Sequence, residues 1–187
     1  MLFEKIELEV DEEILKVVRK HWFVLFIELF GVGVTLLLPY IALALTPFLP
    51  MPPAVLELLW SEPALLLFVL ALWSLLALFL AFSIWTHYYL DLWIITDRRI
   101  ILVDQIHFFN RNVSIFRLER LQDIEYYIKG ILPTLLNFGT IRAQTASAFE
   151  SNFKTTGLPD PRGLQATIQQ AMDARLKELN HNPNLSD

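Results

Sequence analysis

Histidine and carboxylate side chains are the groups through which this chain could bind a metal ion or transfer a proton. The four histidines have no metal-ligand spacing such as HExxH; they are His21, His87, His107 and His181. The chain has no cysteine, which excludes thiol catalysis and cysteine-based zinc or iron–sulfur sites. It also lacks a GxSxG elbow, a glycine-rich phosphate loop and a dinucleotide-binding fingerprint. We therefore expect no enzymatic activity, no metal and no cofactor.

Arg98 and Arg99 are the most prominent charged pair, and they follow Asp97 in a break between two apolar runs. If this break is a turn that faces a bilayer, each charge contributes about 1 kcal/mol of attraction to anionic headgroups. The two arginines are therefore candidate membrane-surface contacts. The simpler alternative is a polar turn whose charges only anchor the topology.

Glu28 is the one ionisable side chain in the apolar run 22–45. An ionisable group inside a membrane segment is a functional candidate by default. Glu28 lies about 9 Å along a helix from Trp22, near the headgroup boundary. It is thus either an intramembrane polar site or an interfacial carboxylate bonded to a neighbour such as His87 or Tyr88.

The chain has two long apolar runs, residues 22–45, which contain Glu28, and residues 64–85, which contain no ionisable side chain. As helices they are about 33–36 Å long, enough to cross a hydrocarbon core of about 30 Å. Only a helix satisfies its own backbone groups in lipid. The runs therefore predict two transmembrane helices, with residues 46–63 as the loop between them.

The distribution of Lys and Arg predicts the orientation of this hairpin. The loop 46–63 contains neither residue, whereas three basic residues lie within 16–20 and two more follow at 98–99. By the positive-inside rule, both termini are cytoplasmic and the loop is external. The net charge of −5, without a basic stripe, argues against nucleic-acid binding.

The segments outside the hairpin predict a cytoplasmic leader and a small β-rich domain. In the leader, residues 1–21, we expect a short strand at 6–10 and an amphipathic helix from Asp11 through Arg19. The domain, residues 86–180, ends in an amphipathic helix with Asp160 as N-cap, before a flexible tail at 181–187. Breaks are expected at Thr96–Arg99 and Asp104–Gln105. The expected strands are 88–95, 100–103, 106–118, 121–128, 139–146 and 149–155.

Three phenylalanines lie close together in the β-rich domain, Phe108, Phe109 and Phe116. If all three were exposed, they would mark a protein-binding patch. Strand alternation directs at least one of them into the core, so a patch and core packing both stay open.

Four motifs in order carry a family resemblance: ITDRRII at 95–101, LxRLQDIE at 118–125, LLNFGTIR at 135–142 and LPDPRGLQATI at 158–168. Together with VVRKHW before the first apolar run, they resemble the bacterial pleckstrin-homology-like family of YdbS-like membrane proteins. The resemblance implies a PH-like β-barrel or sandwich capped by a C-terminal α-helix. It supplies no defined activity. It also implies turn and cap roles for Asp97, Arg98, Gly139, Asp160 and Pro161.

We therefore predict an α+β membrane protein of the bacterial inner membrane, with a two-helix transmembrane hairpin and a PH-like domain. The expected function is non-enzymatic binding or scaffolding at the cytoplasmic face. The expected partners are the lipid bilayer and another membrane protein or a second copy, while the ligand is left open. The alternative is a subunit of an oligomeric channel or transporter that uses Glu28 and the hairpin interface. An enzyme acting on lipid ranks last, because no polar cluster for it is evident.

Overall fold

The computed structural model describes residue 9 and residues 12–50, 52–107, 110–145 and 153–181. The chain divides into two compact units, one formed by Met1–His21 with His87–Asp187 and the other by Trp22–Thr86. In chain order the elements are β1 (Ile14–Val18), α1 (Trp22–Leu45), α2 (Pro53–Ser61), α3 (Pro63–Leu90), β2 (Leu92–Thr96), β3 (Arg99–His107), β4 (Asn110–Arg117), β5 (Leu121–Tyr127), α4 (Ile131–Leu136), β6 (Phe138–Thr145), β7 (Phe153–Pro159) and α5 (Pro161–His181).

The helical unit contains two helices that are long and apolar enough to cross a membrane. The candidate spans are Trp22–Phe48 and Pro63–Leu90, with mean hydropathies of 2.1 and 2.8 and almost no buried residues. α1 has the predicted bounds. α3 continues to Leu90, beyond the predicted end, because no Gly or Pro interrupts it and propagation of a helix is easier than its nucleation.

Within this unit, hydrogen bonds link α1 to α3. Trp73 Nε1 donates to the carbonyl of Thr35 at 3.1 Å, and the hydroxyls of Tyr40 and Ser74 lie 2.5 Å apart. In apolar surroundings, such hydrogen bonds add to van der Waals packing in stabilising a helix pair.

The predicted leader helix is wrong. In place of a helix from Asp11 through Arg19, Ile14–Val18 forms strand β1, which pairs antiparallel with β2. The capping pattern is a local signal, and it is outweighed by a long-range ladder that also buries Val18 in the domain core. The strand expected at 6–10 lies outside the described residues except for Glu9.

The β domain consists of two antiparallel sheets, ordered β1-β2-β3-β4 and β5-β6-β7. The break predicted at Asp104–Gln105 is wrong, because both residues pair with β4 and β3 continues to His107. The strand predicted from residue 88 begins at Leu92, since helix α3 occupies the preceding residues. The break at Asp97 and Arg98 is confirmed as the turn between β2 and β3.

The main core lies between the two sheets and α5. Its largest fully buried side chains are Ile95, Ile100, Leu118, Ile141, Leu158, Leu164 and Ile168. A second buried cluster, Leu92, Ile94, Ile101 and Val103, lies on the opposite face of the first sheet. The sheet is therefore apolar on both faces at β2 and the first half of β3, which explains the continuous apolar runs at 92–95 and 100–103. The described strands form two sheets and no closed barrel.

Helix α5 begins as predicted, with Asp160 as its N-cap: Oδ1 of Asp160 accepts a hydrogen bond from the backbone N–H of Gly163 at 3.2 Å. Its buried stripe includes one charged residue. Arg175 is buried, whereas the neighbouring Leu176 is exposed. A period of 3.6 residues from Leu164 reaches residue 175, and the Arg175 guanidinium ends on Glu178 at 2.8 Å.

Candidate functional site

The outer face of the second sheet gathers polar side chains from three strands. Arg142 in β6 pairs with Glu125 in β5 and with Lys154 in β7, which places these three in one row. Because side chains alternate between the two faces of a strand, residues two positions away lie on the same face. The next row is accordingly Tyr127, Thr140 and Thr156.

These rows form one side of a groove of about 480 Å³. Lys129, just after β5, lies at its edge, with Nζ 5.6 Å from the centroid of the Tyr127 ring. Pro133 of α4 lines it as well. Phe138, Gly139 and Gly157 also line the groove. Its polar lining side chains are those of Tyr127, Lys129, Thr140, Arg142, Lys154 and Thr156.

The groove carries an excess of positive charge. Lys129, Arg142 and Lys154 line it, whereas the adjacent carboxylate of Glu125 accepts a hydrogen bond from the hydroxyl of Tyr127. That hydrogen bond, with some desolvation and the charge of Glu125, raises the pKa of Tyr127, and the hydroxyl proton of Tyr127 is engaged by Glu125. Two ammonium groups, a guanidinium and the hydroxyls of Thr140 and Thr156 together suit a phosphate or carboxylate.

Two glycines shape the strands that carry these cations. A Cβ atom on Gly139 would lie 2.5 Å from the carbonyl oxygen of Tyr127, so only glycine lets β6 approach β5 this closely. Gly139 is thus a strand residue, and the turn role that the resemblance implied for it is wrong. Gly157 has φ of 76° where the pairing of β6 with β7 shifts register.

The end of the leader contacts the groove. The backbone N–H of His21 donates to the carbonyl of Gly157 at 2.7 Å, and its ring stacks on Phe138 with centroids 5.1 Å apart. Burial lowers the pKa of His21, so the imidazole is neutral at pH 7. His21, directly before α1, therefore helps to fix Gly157 and Phe138, which both line the groove.

The predicted membrane contacts lie on the other sheet and are engaged within the domain. Arg99 donates two hydrogen bonds to the carboxylate of Glu12, and Arg98 lies 3.4 Å from a carboxylate oxygen of Glu9. The backbone N–H groups of both arginines also donate to Thr96 Oγ1. Their role at a membrane surface stays a prediction, and the structure provides a structural role beside it.

The Glu12 carboxylate is held in its charged form by this arrangement. Burial opposes its ionisation, but hydrogen bonds from Arg99, the Glu9 backbone and Thr96, together with the Arg99 charge, lower the pKa of Glu12. The same pair raises the pKa of Arg99, against the effect of burial. The contact is therefore an ion pair at neutral pH.

A second polar cluster lies where the domain connects to the apolar helices. Lys20, just before α1, forms an ion pair with Asp91, just after α3, at 2.7 Å. The other oxygen of Asp91 accepts the backbone N–H of Gln105 at 2.8 Å. Burial raises the pKa of nearby Asp104, and the negative charge of Asp91 raises it further, with a smaller opposing effect from Lys20.

Glu28 lines a groove of about 310 Å³ between α1 and α3, together with Gly31, Thr35 and Trp73. The groove is otherwise apolar, and the role of Glu28 stays a prediction.

Phe116 is buried, with its ring centroid 4.6 Å from that of Phe153, which favours core packing for this phenylalanine.

The remaining candidate residues give no site in the part of the chain that the structure describes. Phe108 and Phe109 lie outside the described residues. Among the described residues, no group of three or more His, Asp and Glu side chains lies close enough to hold a metal ion.

The cationic groove is not evident in the sequence, because its three cations are spread over residues 129–154. The alternation of TxR at 140–142 and KxT at 154–156 was the available signal. It becomes informative only when the register of β6 and β7 is known, since the register decides whether Arg142 and Lys154 are neighbours.

Comparison with known proteins places these observations in a family. The sequence profile of the bacterial PH domain matches residues 24–172. Comparison with curated proteins gave no match. Among solved structures, the chain is similar to a DUF1696 family protein with a pleckstrin-homology domain from Shewanella loihica PV-4, with 16% identity and a TM-score of 0.36. That similarity covers 44% of this chain and 70% of the other.

Proposed function

The chain belongs to the bacterial PH domain family, and from this premise we propose that it is a non-enzymatic binding module anchored in a membrane by α1 and α3. A PH-like domain supports a binding or scaffolding role. The observation that carries the proposal is the groove on the second sheet, where Lys129, Arg142 and Lys154 converge. Its partner would present an anionic group, because the lining side chains are cations and hydrogen-bond donors.

Membrane anchoring is supported by the surfaces of the two long helices. Large apolar side chains point outward along both, and such helices are unfavourable in water. The pairing of β1 with β2 supports a hairpin topology. It brings the chain before α1 and the chain after α3 into one sheet, so two spanning helices would begin and end on the same side. The basic residues near 16–20 then favour the cytoplasmic side, in the inner membrane of a bacterium.

Labelling of single cysteines tests this topology directly, because the chain has no cysteine of its own. We expect a membrane-impermeant maleimide to label Glu57→Cys, in α2, in intact spheroplasts. We expect it to label Asp173→Cys, on the exposed side of α5, only after lysis. Labelling of Asp173→Cys in intact spheroplasts would contradict a cytoplasmic domain.

A crosslinking pulldown from native membranes, with recovered proteins and lipids identified, tests the binding role. The informative variant is Arg142→Glu/Lys154→Glu, since Arg99→Glu would also break the ion pair with Glu12. Arg117→Glu/Lys177→Glu is the matched control, because it makes the same charge change at two exposed positions. We expect a specific partner to be lost only with the groove variant. Equal recovery with both variants would count against the groove as the binding site.

The second candidate function is a subunit of an oligomeric membrane channel or transporter. It is favoured by Glu28 at the groove between α1 and α3, and by open space within 4 Å of a Cβ on Gly31 or Gly33. In that case Glu28 would face another protomer, and Glu28→Leu would reduce the mass of the detergent-solubilised particle. An unchanged mass would favour the binding module.

A further inference from the structure

The short helix α4 presents three aliphatic side chains to solvent beside the cationic groove. Ile131 and Leu135 are 80% and 74% exposed, and Leu132 is 50% exposed. Every other large apolar residue described as exposed in the β domain is less than half exposed. Ile131 and Leu135 are therefore exceptional for this domain, and such a patch indicates an interaction surface.

Hydrogen bonds fix the helix in this position. The Thr134 hydroxyl donates to the carbonyl of Gly130 at 2.7 Å, where the backbone turns with φ of 108°. At the other end Asn137 adopts the left-handed conformation, and its carbonyl accepts the N–H of Asp160 at 2.8 Å. The aliphatic side chains are thus held outward by a defined loop, close to β6.

The cations of the groove flank this apolar surface. Lys129 lies two residues before the start of α4, and Pro133 of α4 lines the groove that holds Arg142 and Lys154. An apolar projection next to basic side chains suits the interface of an anionic bilayer, where apolar groups enter the acyl boundary and cations meet phosphates.

We propose that α4 and the adjacent groove form a membrane-docking surface, with Ile131 and Leu135 inserted and Lys129, Arg142 and Lys154 bound to lipid phosphates. The inference rests on the proposed membrane anchoring. The domain is joined to apolar helices at Trp22 and at Leu90, so a bilayer is continuously within reach, whereas a soluble partner must arrive by diffusion. Charge complementarity selects anionic over zwitterionic lipid.

A fluorophore at one cysteine tests the docking surface in the full chain. Leu135→Cys, labelled with an environment-sensitive dye, is reconstituted into vesicles of phosphatidylcholine alone or with added phosphatidylglycerol. We expect a blue shift and protection from aqueous iodide only when phosphatidylglycerol is present. A dye at Gln169→Cys, on an exposed face of α5, serves as the control and should stay accessible in both.

Charge reversal then tests the role of the groove. In the labelled Leu135→Cys chain, Arg142→Glu/Lys154→Glu should abolish the blue shift, and Arg117→Glu/Lys177→Glu should leave it intact. Circular dichroism of each variant checks that the domain is folded. If the charge reversal unfolds the domain, the milder variant Arg142→Gln/Lys154→Gln is used in its place, and it should weaken the blue shift. A blue shift that is indifferent to both groove variants would overturn the phosphate contacts.

Flotation at alkaline pH separates this inference from the anchoring on which it rests. If the chain floats with the vesicles but the Leu135→Cys dye stays accessible to iodide in both lipids, the docking surface is wrong and the anchoring stands. If the chain does not float, both fail. A blue shift that requires an added soluble protein would assign α4 to a protein interface and would also overturn the proposal.

Discussion

Arg99 and Glu12 lie 87 positions apart in the chain, and their side chains are joined by two hydrogen bonds. Nε of Arg99 donates to Oε1 of Glu12 at 2.9 Å, and Nη2 donates to Oε2 at 2.7 Å. The Glu12 side chain is fully buried, and 13% of the Arg99 side chain is exposed. The pair fastens the leader to the turn between β2 and β3, next to the β1–β2 ladder.

Removal of the guanidinium should destabilise the β domain strongly. Arg99→Met leaves the buried carboxylate of Glu12 without its charged partner, and we expect a loss of about 3–5 kcal/mol in the free energy of unfolding. Urea denaturation of the full chain in detergent, followed by circular dichroism in the β region, measures this loss. Glu12→Leu/Arg99→Met should recover part of it, because both buried charges are then removed.

Arg117→Met is the matched control for this substitution. The Arg117 side chain is 52% exposed and lies 3.8 Å from a carboxylate oxygen of Glu119, so its removal should cost less than about 1 kcal/mol. Similar losses for Arg99→Met and Arg117→Met would contradict a buried ion pair at Arg99.

The stability difference between the wild-type chain and Arg99→Met should narrow as the pH falls. Because the folded pKa of Glu12 lies below its ordinary value of 4.5, the ion pair contributes fully above that value. Its contribution is lost as the pH falls from about 4.5 through the lowered pKa. In Arg99→Met, the buried Glu12 carboxyl has no charged partner and favours its protonated form. Protonation in acid therefore removes the cost of burying the Glu12 charge.

Urea midpoints of both chains, measured from pH 7 to about pH 3.5, test this dependence. His21 and Asp104 titrate in both chains, so their contributions largely cancel in the difference. A stability difference that stays constant over this range would mean that Glu12 is not ionised in the folded wild-type domain.

Asp104→Asn should stabilise the domain at neutral pH. Burial and the charge of Asp91 raise the folded pKa of Asp104, so the ionised Asp104 carboxylate favours the unfolded chain. The contribution of Asp104 to the stability of the domain therefore becomes less favourable as the pH rises. An uncharged amide removes this effect, with an expected gain of up to about 1 kcal/mol at pH 7 and none in acid. Thermal midpoints at the two pH values measure the gain. Asp173→Asn, on an exposed face of α5, is the control and should change neither midpoint.

Long-range pairing explains where the sequence predicts the fold and where it does not. The helix of residues 22–45 and the start of α5 were predictable, because apolar length and an Asp-Pro cap are local properties. The leader strand at Ile14–Val18 was not, because its partners begin at Trp93. The polar residues Asp104 and Gln105 looked like a break for the same reason, since the Asp91 side chain that accepts the backbone N–H of Gln105 lies elsewhere in the sequence.

The same limit applies to the sites. Arg98 and Arg99 were conspicuous because they are adjacent, yet their guanidinium groups bind leader carboxylates that sequence proximity could not reveal. The cations of the groove were inconspicuous because each stands alone in its own segment, and only the register of β6 with β7 makes neighbours of Arg142 and Lys154. The sequence thus revealed charge density along the chain but not charge density in space.

Gly139→Ala should destabilise the sheet that carries the groove. The added Cβ would lie 2.5 Å from the Tyr127 carbonyl oxygen and 3.1 Å from Pro161 Cγ, and a backbone atom cannot move away as a flexible side chain can. We expect a loss of about 1–3 kcal/mol, typical of overpacking, with faster hydrogen exchange in β5 and β6. Gly31→Ala, which meets nothing within 4 Å, is the control and should leave domain stability unchanged. If Gly139→Ala were equally silent in urea denaturation and hydrogen exchange, the close approach of β6 to Tyr127 would be wrong, and with it the spacing that brings Arg142 beside the α4 surface.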